Sequence, residues 1–232
     1  MSKALAFTAT AVFLLSLLGT LLASGKLNRP AAIAPNENRG PYIPYPAAPP
    51  ATPRAPIAGQ LIGAALNLYH TDHLPLYHDA LEQMSDAGLN AVQIVTPMFQ
   101  DNGASPTVEL RRGKGRGPDM ADIVSLLAHA KALGMHTMLM PQVNFTHPRG
   151  NEWRGKLQPK HWDPWWQSYH QSIDEFLAVA EANHVDLFVV GCELLTTHTP
   201  EHQDRWRELI AHARQNFTGK LTYSTTWDTY HK

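Results

Sequence analysis

The chain has 232 residues, with 19 Lys and Arg against 20 Asp and Glu, a formal net charge of −1, and 44% hydrophobic residues. That balance offers no basic surface for nucleic acid and no acidic tail, and the length allows one sizeable core or two small ones. A single cysteine, Cys192, excludes an internal disulfide, so the compartment has to be read from the N-terminus.

Lys3 precedes an apolar run from Ala4 to Ala23, which is followed by Ser24, Gly25 and Lys26. A short positive region, an apolar stretch and a small-residue site make residues 1–25 a secretory signal peptide. At about 1.5 Å of rise per residue, the run would equally span a hydrocarbon core of about 30 Å, so an uncleaved anchor is the alternative. Either way the chain is expected to be exported: secreted, periplasmic or held at the cell surface, with membrane contact only through residues 4–23. Leu22-Ala23-Ser24-Gly25 has the look of a lipoprotein signal, but Lys26 stands where lipidation needs Cys. Residues 26–57 follow as a linker. Nine of the 18 prolines lie between Asn28 and Ala58. Proline denies the backbone its donors and favours extended chain, so this stretch reads as a semi-rigid spacer.

The folded domain is expected over 58–232, and there the pattern alternates. Gln60 to Tyr69 is a short apolar run, read as strand one. Leu74 to Gly88 has helical spacing (Leu76, Leu81, Met84) and stops at glycine. Asn90 to Met98 is strand two. Pro118 to Leu133 puts Met120, Ile123, Leu126, Leu127 and Ala130 on one helical face, with proline at its start and Gly134 at its end. Met135 to Val143 is strand three, Trp162 to Asn183 helix three, Val185 to Glu193 strand four, Pro200 to Asn216 helix four, and Lys220 to Trp227 strand five.

Strands that are apolar on both faces and alternate with helices imply a parallel sheet with helical crossovers, an α/β fold. No G-x-G-x-x-G follows the first strand, which counts against a dinucleotide-binding unit, and no cofactor is implied. Polar and aromatic residues gather just after strand ends instead: Tyr69-His70, Gln100, Asn144-Phe145, Glu193, Trp227-Asp228. A (β/α)8 TIM barrel builds its active site there. Such a barrel has eight strands and eight helices in about 250 residues, so five strands and four helices make an incomplete one, with strand five an open apolar edge.

Strand four ends on a carboxylate, Glu193. Low-dielectric surroundings favour the protonated form of a carboxyl group, which suits a proton donor, and glycoside hydrolysis needs one at the leaving oxygen. It also needs a second carboxylate, about 5–5.5 Å away in a retaining enzyme. Between strand three and helix three lie Trp153-Arg154-Gly155 and Trp162-Asp-Pro-Trp165-Trp166. Sugar rings stack their C–H faces on aromatic rings, while Arg, Asn and Gln bond the hydroxyls. Trp153 and Arg154 are the candidates for substrate; Trp165 and Trp166 open a helix, where packing on the barrel competes.

The ordered motifs Met-Pro-Gln-Val-Asn144, Trp153-Arg154-Gly155, Trp165-Trp166-x-Ser-Tyr169, Asp186-Leu-Phe-Val-Val-Gly-Cys-Glu193-Leu, Trp206-Arg207-x-x-Ile210-x-x-x-Arg214 and Phe217-Thr-Gly219-Lys-Leu-Thr-Tyr223-Ser-Thr-Thr-Trp227-Asp228 resemble glycoside hydrolase family 113, the TIM-barrel β-mannanases. The resemblance runs from about Gly59 to Tyr230. It implies a retaining endo-β-1,4-mannanase acting on a β-linked polysaccharide or oligosaccharide, with Glu193 as the acid/base. The family's nucleophile, a glutamate ending strand seven, has no counterpart in this sequence. Related barrels carry Asn before the acid/base; here it is Cys192. The same resemblance gives Asn144, Trp227 and Arg154 to the sugar site, leaves Asp228 open between a sugar contact and a strand-end cap, and makes Trp206, Arg207 and Arg214 structural.

Two other readings stand beside this one. The first is a half-barrel at the cell surface that binds carbohydrate without turnover. The second, a metal-dependent barrel hydrolase, draws on 13 histidines and on His70-Thr-Asp-His73 after strand one, yet strands four and five add no further His or Lys at their carboxyl ends. His198 and His202 read as surface residues at a helix start, and His129 and His136 as solvent-facing or satisfied. Arg111, Arg112, Lys114 and Arg116, with interspersed glycines, read as a mobile loop rather than a phosphate cradle.

Overall fold

The computed structural model describes residues 54, 56–69, 71–113 and 117–227. The apolar run 4–23, nearly all of the proline-rich stretch, His70, Lys114, Arg116 and Asp228 lie outside the described residues. Within them, no helix is long and apolar enough to cross a membrane.

Five strands, β1 (Gly63–Asn67), β2 (Ala91–Gln100), β3 (His136–Phe145), β4 (Leu187–Cys192) and β5 (Lys220–Ser224), form one sheet in chain order. All four pairings are parallel. The crossovers are α1 (Leu74–Asp86), α2 (Met120–Ala132), α3 (Trp162–Ala182) and α4 (Gln203–Asn216). Each element falls where the periodicity puts it, to within a few residues. β3 runs two residues beyond Val143, because Asn144 and Phe145 still pair with Phe99 and Gln100. Strand four is shorter at both ends: it starts at Leu187, and a register shift between Val189 and Cys192 breaks the ladder just before Glu193.

The two faces of the sheet are packed differently. On the helix side, Val92, Ile94, Leu139, Val143, Phe188 and Val190 join the apolar faces of the helices in the main core. On the other side, Val95, Met138, Met140, Val189 and Cys192 form a separate small cluster. Strands that must be apolar on both faces read as continuous hydrophobic runs, which is what the sequence showed for β2 to β4.

Helix α3 carries the aromatic part of the core. Trp165 is 0% and Trp166 2% exposed. Trp165 stacks on Tyr169 at 4.9 Å, and Trp166 meets Trp206 of α4 edge-on at 5.1 Å. Their indole N–H groups donate to Gln100 Oε1 (2.9 Å) and to His202 Nδ1 (3.2 Å). Rings so enclosed cannot stack on a sugar; each contributes about 1.5–3 kcal/mol by burial, and both are structural. His202 is correspondingly buried rather than on the surface, since Trp162 and Trp166 cover it.

Glycine 191 lets this aromatic layer reach β4. A Cβ there would lie 2.6 Å from Trp206 Cη2 and 2.7 Å from Tyr223 Cε2, so both rings rest on bare backbone. Overpacking of this kind costs about 1–3 kcal/mol. Gly191→Ala is therefore expected to lower the free energy of chemical unfolding by that amount, whereas Gly134→Ala, with nothing within 4 Å of the new Cβ, should act only through its left-handed φ of 75°.

On the helix side, His78 of α1 and His129 of α2 meet with their Nδ1 atoms 2.6 Å apart. Ser125 Oγ lies 3.1 Å from His78 Nε2, and Glu82 Oε1 3.4 Å from His129 Nε2. In the tautomer in which His78 donates from Nδ1 to His129 Nδ1 and accepts at Nε2 from Ser125, the His78 ring is neutral. Burial first, then His129, lower the His78 pKa from 6.5 to about 4, against a smaller pull from Asp79. A neutral native imidazole leaves the unfolded state binding more protons, so stability falls as pH drops through this window. Thermal melts between pH 6.5 and 4 should show a loss on the order of 2–3 kcal/mol that His78→Gln largely removes; an unchanged slope in the variant would assign the acid sensitivity elsewhere.

Candidate active site

Parallel strands in chain order bring the carboxyl ends of β1, β3, β4 and β5 to one rim, and the chemistry-bearing residues sit there. Glu193 is the first residue past β4, with φ of +54°. That left-handed conformation costs a side-chain-bearing residue about 1–2 kcal/mol, so its surroundings must enforce it. Glu193 N donates to Ser224 O at 2.8 Å, and Leu194 N donates to the Tyr223 hydroxyl at 2.8 Å. Leu194 (φ −84°, ψ 62°) then forms an inverse γ-turn, with Leu195 N donating to Glu193 O at 3.0 Å. The chain thus leaves the sheet plane at the carboxylate.

The side chain is held from the β3 side. Arg154, in a short 3-10 turn (Arg154–Lys156), donates from Nη1 to Glu193 Oε2 at 2.7 Å, from Nη2 to Asn144 Oδ1 at 3.1 Å and from Nε to Val143 O at 3.0 Å. One planar guanidinium therefore ties the end of β3 to the carboxylate past β4, a geometry lysine cannot reproduce. Glu193 keeps 29% of its side-chain surface, so it is less enclosed than the apolar strand before it suggests.

A second relay crosses the strand ends. The Tyr69 hydroxyl donates to Gln142 Oε1 at 2.9 Å, and Gln142 Nε2 donates to Cys192 Sγ at 3.4 Å. Burial pushes the Cys192 thiol up, so it remains a neutral acceptor rather than a thiolate. Cysteine at this position thus accepts a hydrogen bond from β3.

Of the residues singled out from the sequence, Glu193, Arg154 and Asn144 form one connected group. Trp153 lies beside it, its ring over Gly155, where a Cβ would collide with the indole. Trp227 stands past β5 with 80% of its surface exposed, an aromatic face open to solvent. Asp228 is outside the described residues. Gln100, also at a strand end, is structural, since its Nε2 donates to Asn102 O at 2.8 Å and folds the loop after β2. Sequence reasoning missed Tyr223 and His198 as the pair behind the turn that follows the carboxylate, and Gln142 as the partner of Cys192. The available signal for Tyr223 was Gly191, since glycine inside an apolar strand marks close approach by another group. Among the described residues, no group of three or more His, Cys, Asp or Glu could hold a metal ion.

The profile of Glycoside Hydrolase Family 113 matches residues 73–232. A family 113 β-mannanase from Alicyclobacillus acidocaldarius, solved in complex with ManMIm, superposes with a TM-score of 0.63 at 23% identity, over 72% of this chain and 54% of that one. At that identity the likeness is one of fold. A family 113 β-1,4-mannanase solved as a complex gives 0.61 at 25% identity over 71% and 54%, and another family 113 β-1,4-mannanase structure 0.60 at 26% over 71% and 55%. This chain spans about half the length of these solved structures. No curated protein matches it. Five parallel strands with their crossovers superpose on a TIM-barrel-type glycoside hydrolase, the family profile covers well over half of the sequence, and the chain belongs to Glycoside Hydrolase Family 113.

Proposed function

We propose that this chain carries the acid/base side of a retaining glycoside hydrolase that cleaves β-1,4-mannan. The observation that carries the reading is Glu193: a half-buried carboxylate at the rim past β4, gripped on one oxygen by Arg154 and presented by a left-handed backbone. In the first step Glu193 gives its proton to the glycosidic oxygen as that bond breaks and a second carboxylate bonds the anomeric carbon. In the second step Glu193 takes a proton from the water that displaces it. The second carboxylate would stand about 5–5.5 Å away; the family resemblance draws it from a seventh strand. Asn144 and Arg154 would bond sugar hydroxyls, and Trp227 and Trp153 would offer stacking faces.

Mannan as substrate is supported by the family and by the β-1,4-mannanase structures that the chain resembles. A polysaccharide does not cross a membrane, so export of the chain through residues 1–25 fits a polymer substrate. Assay on β-1,4-mannan of a polypeptide that carries this chain together with a strand-seven glutamate is expected to show reducing-end release, with Glu193→Gln lowering kcat/KM by about 10²–10⁴-fold. Calorimetry should show that the variant still binds manno-oligosaccharide. Wild-type turnover by Glu193→Gln would end the assignment.

A further inference from the structure

The turn that presents Glu193 depends on a donor that the sheet does not satisfy. Leu194 is 0% exposed, and its N–H points to β5 just where the ladder has shifted register. A buried N–H without an acceptor is costly, and here the acceptor is a side chain, the Tyr223 hydroxyl at 2.8 Å. The hydroxyl in turn lies 2.7 Å from His198 Nε2, with the two rings edge-on at 5.1 Å. Having accepted from Leu194, the hydroxyl has its own proton to give. Burial raises the Tyr223 pKa, so that proton stays on, and desolvation lowers that of His198, so its nitrogen accepts. Trp206, edge-on to Tyr223 at 5.4 Å, fixes the ring from beneath.

We propose that Tyr223, oriented by His198, is a positioning residue for the Glu193 carboxylate: the Leu194 N–H, Tyr223 hydroxyl and His198 imidazole form a chain that locks the left-handed turn and sets where the proton donor stands. The claim rests on reading Glu193 as the acid/base. Arg154 holds the carboxylate from the β3 side, and Tyr223 holds its backbone from the β5 side. Tyr223 touches no reacting atom through this contact. General acid catalysis requires the donor within hydrogen-bond reach of the leaving oxygen, and a misplacement of about 1 Å can cost roughly 10²-fold.

The test is leaving-group dependence. Tyr223→Phe, in a polypeptide that also carries the strand-seven glutamate, keeps the ring that packs on Trp206 and removes only the hydroxyl. Its kcat/KM on a manno-oligosaccharide, whose leaving alcohol must be protonated, should fall roughly 10–100-fold. On a 2,4-dinitrophenyl manno-oligoside, whose leaving group departs unaided, it should change less than about 3-fold. His198→Ala, at an exposed position, should show the same asymmetry at smaller size and covers the case in which Tyr223→Phe fails to fold. Equal losses on both substrates, or none on either, would overturn the proposal. Hydrogen exchange decides it without turnover: the Leu194 and Leu195 amides should exchange faster in Tyr223→Phe, while those of Val189 and Val190 keep their protection. If Glu193→Gln hydrolyses manno-oligosaccharide normally, the acid/base reading fails by itself. The exchange rates then still show whether Tyr223 holds the turn; unchanged rates would refute that too.

Discussion

Because each strand pairs in parallel with the next one in the chain, every connection must return across the sheet, and every strand delivers its carboxyl end to the same rim. That single constraint accounts for most of what the molecule displays. It forces helices onto one face, which explains why the larger core lies between sheet and helices. It leaves the other face with a small cluster around Val95, Met140 and Val189. It also collects Tyr69, Asn144, Glu193 and Trp227 in one neighbourhood, although they are spread over nearly 160 positions of the sequence.

Within that frame, the placing of Glu193 is a contest between regular pairing and local irregularity. The ladder between β4 and β5 ends in a register shift, and the backbone turns left-handed at the carboxylate. Each departure costs free energy, and each is offset by a named neighbour: Ser224 O, the Tyr223 hydroxyl and the Arg154 guanidinium. Strain retained at a position that offers a charged group to solvent is the pattern expected of a functional site, where the surrounding structure over-determines one conformation. The aromatic layer beneath supplies rigidity, since Trp166, Trp206 and Tyr223 are packed edge to face and Gly191 gives them room.

How much of this could be read in the sequence divides by range. The alternation of strands and helices was legible because periodicity is local: Ile123, Leu126, Leu127 and Ala130 declare their common face by spacing alone. Glu193 was legible for the same reason, as the carboxylate ending an apolar run. Arg154 and Asn144 could be named as polar candidates, but not their union with Glu193, because a guanidinium's partners depend on where two loops meet in space. His202 was misplaced on the surface; a histidine at a helix start is usually exposed, and here two tryptophans from another helix lie over it. Tyr223 was hidden most fully. Its hydroxyl matters only because the β4–β5 register slips, and a slip of register leaves no mark in composition or period.

Arg54 closes the opposite end of the sheet. Its Nε donates to Val185 O at 2.8 Å, its Nη2 pairs with Glu181 Oε2 at 2.6 Å, it bonds Thr218 Oγ1, and its guanidinium lies over the Phe217 ring. Val185 and Thr218 stand just before β4 and β5 begin, so this clamp grips the pole farthest from Glu193 along the same two strands. The Arg54 clamp and the Glu193 carboxylate therefore stand at opposite ends of the same two strands. A force applied at Arg54 would reach the domain along the axis of β4 and β5, from the end opposite the rim that carries the carboxylate.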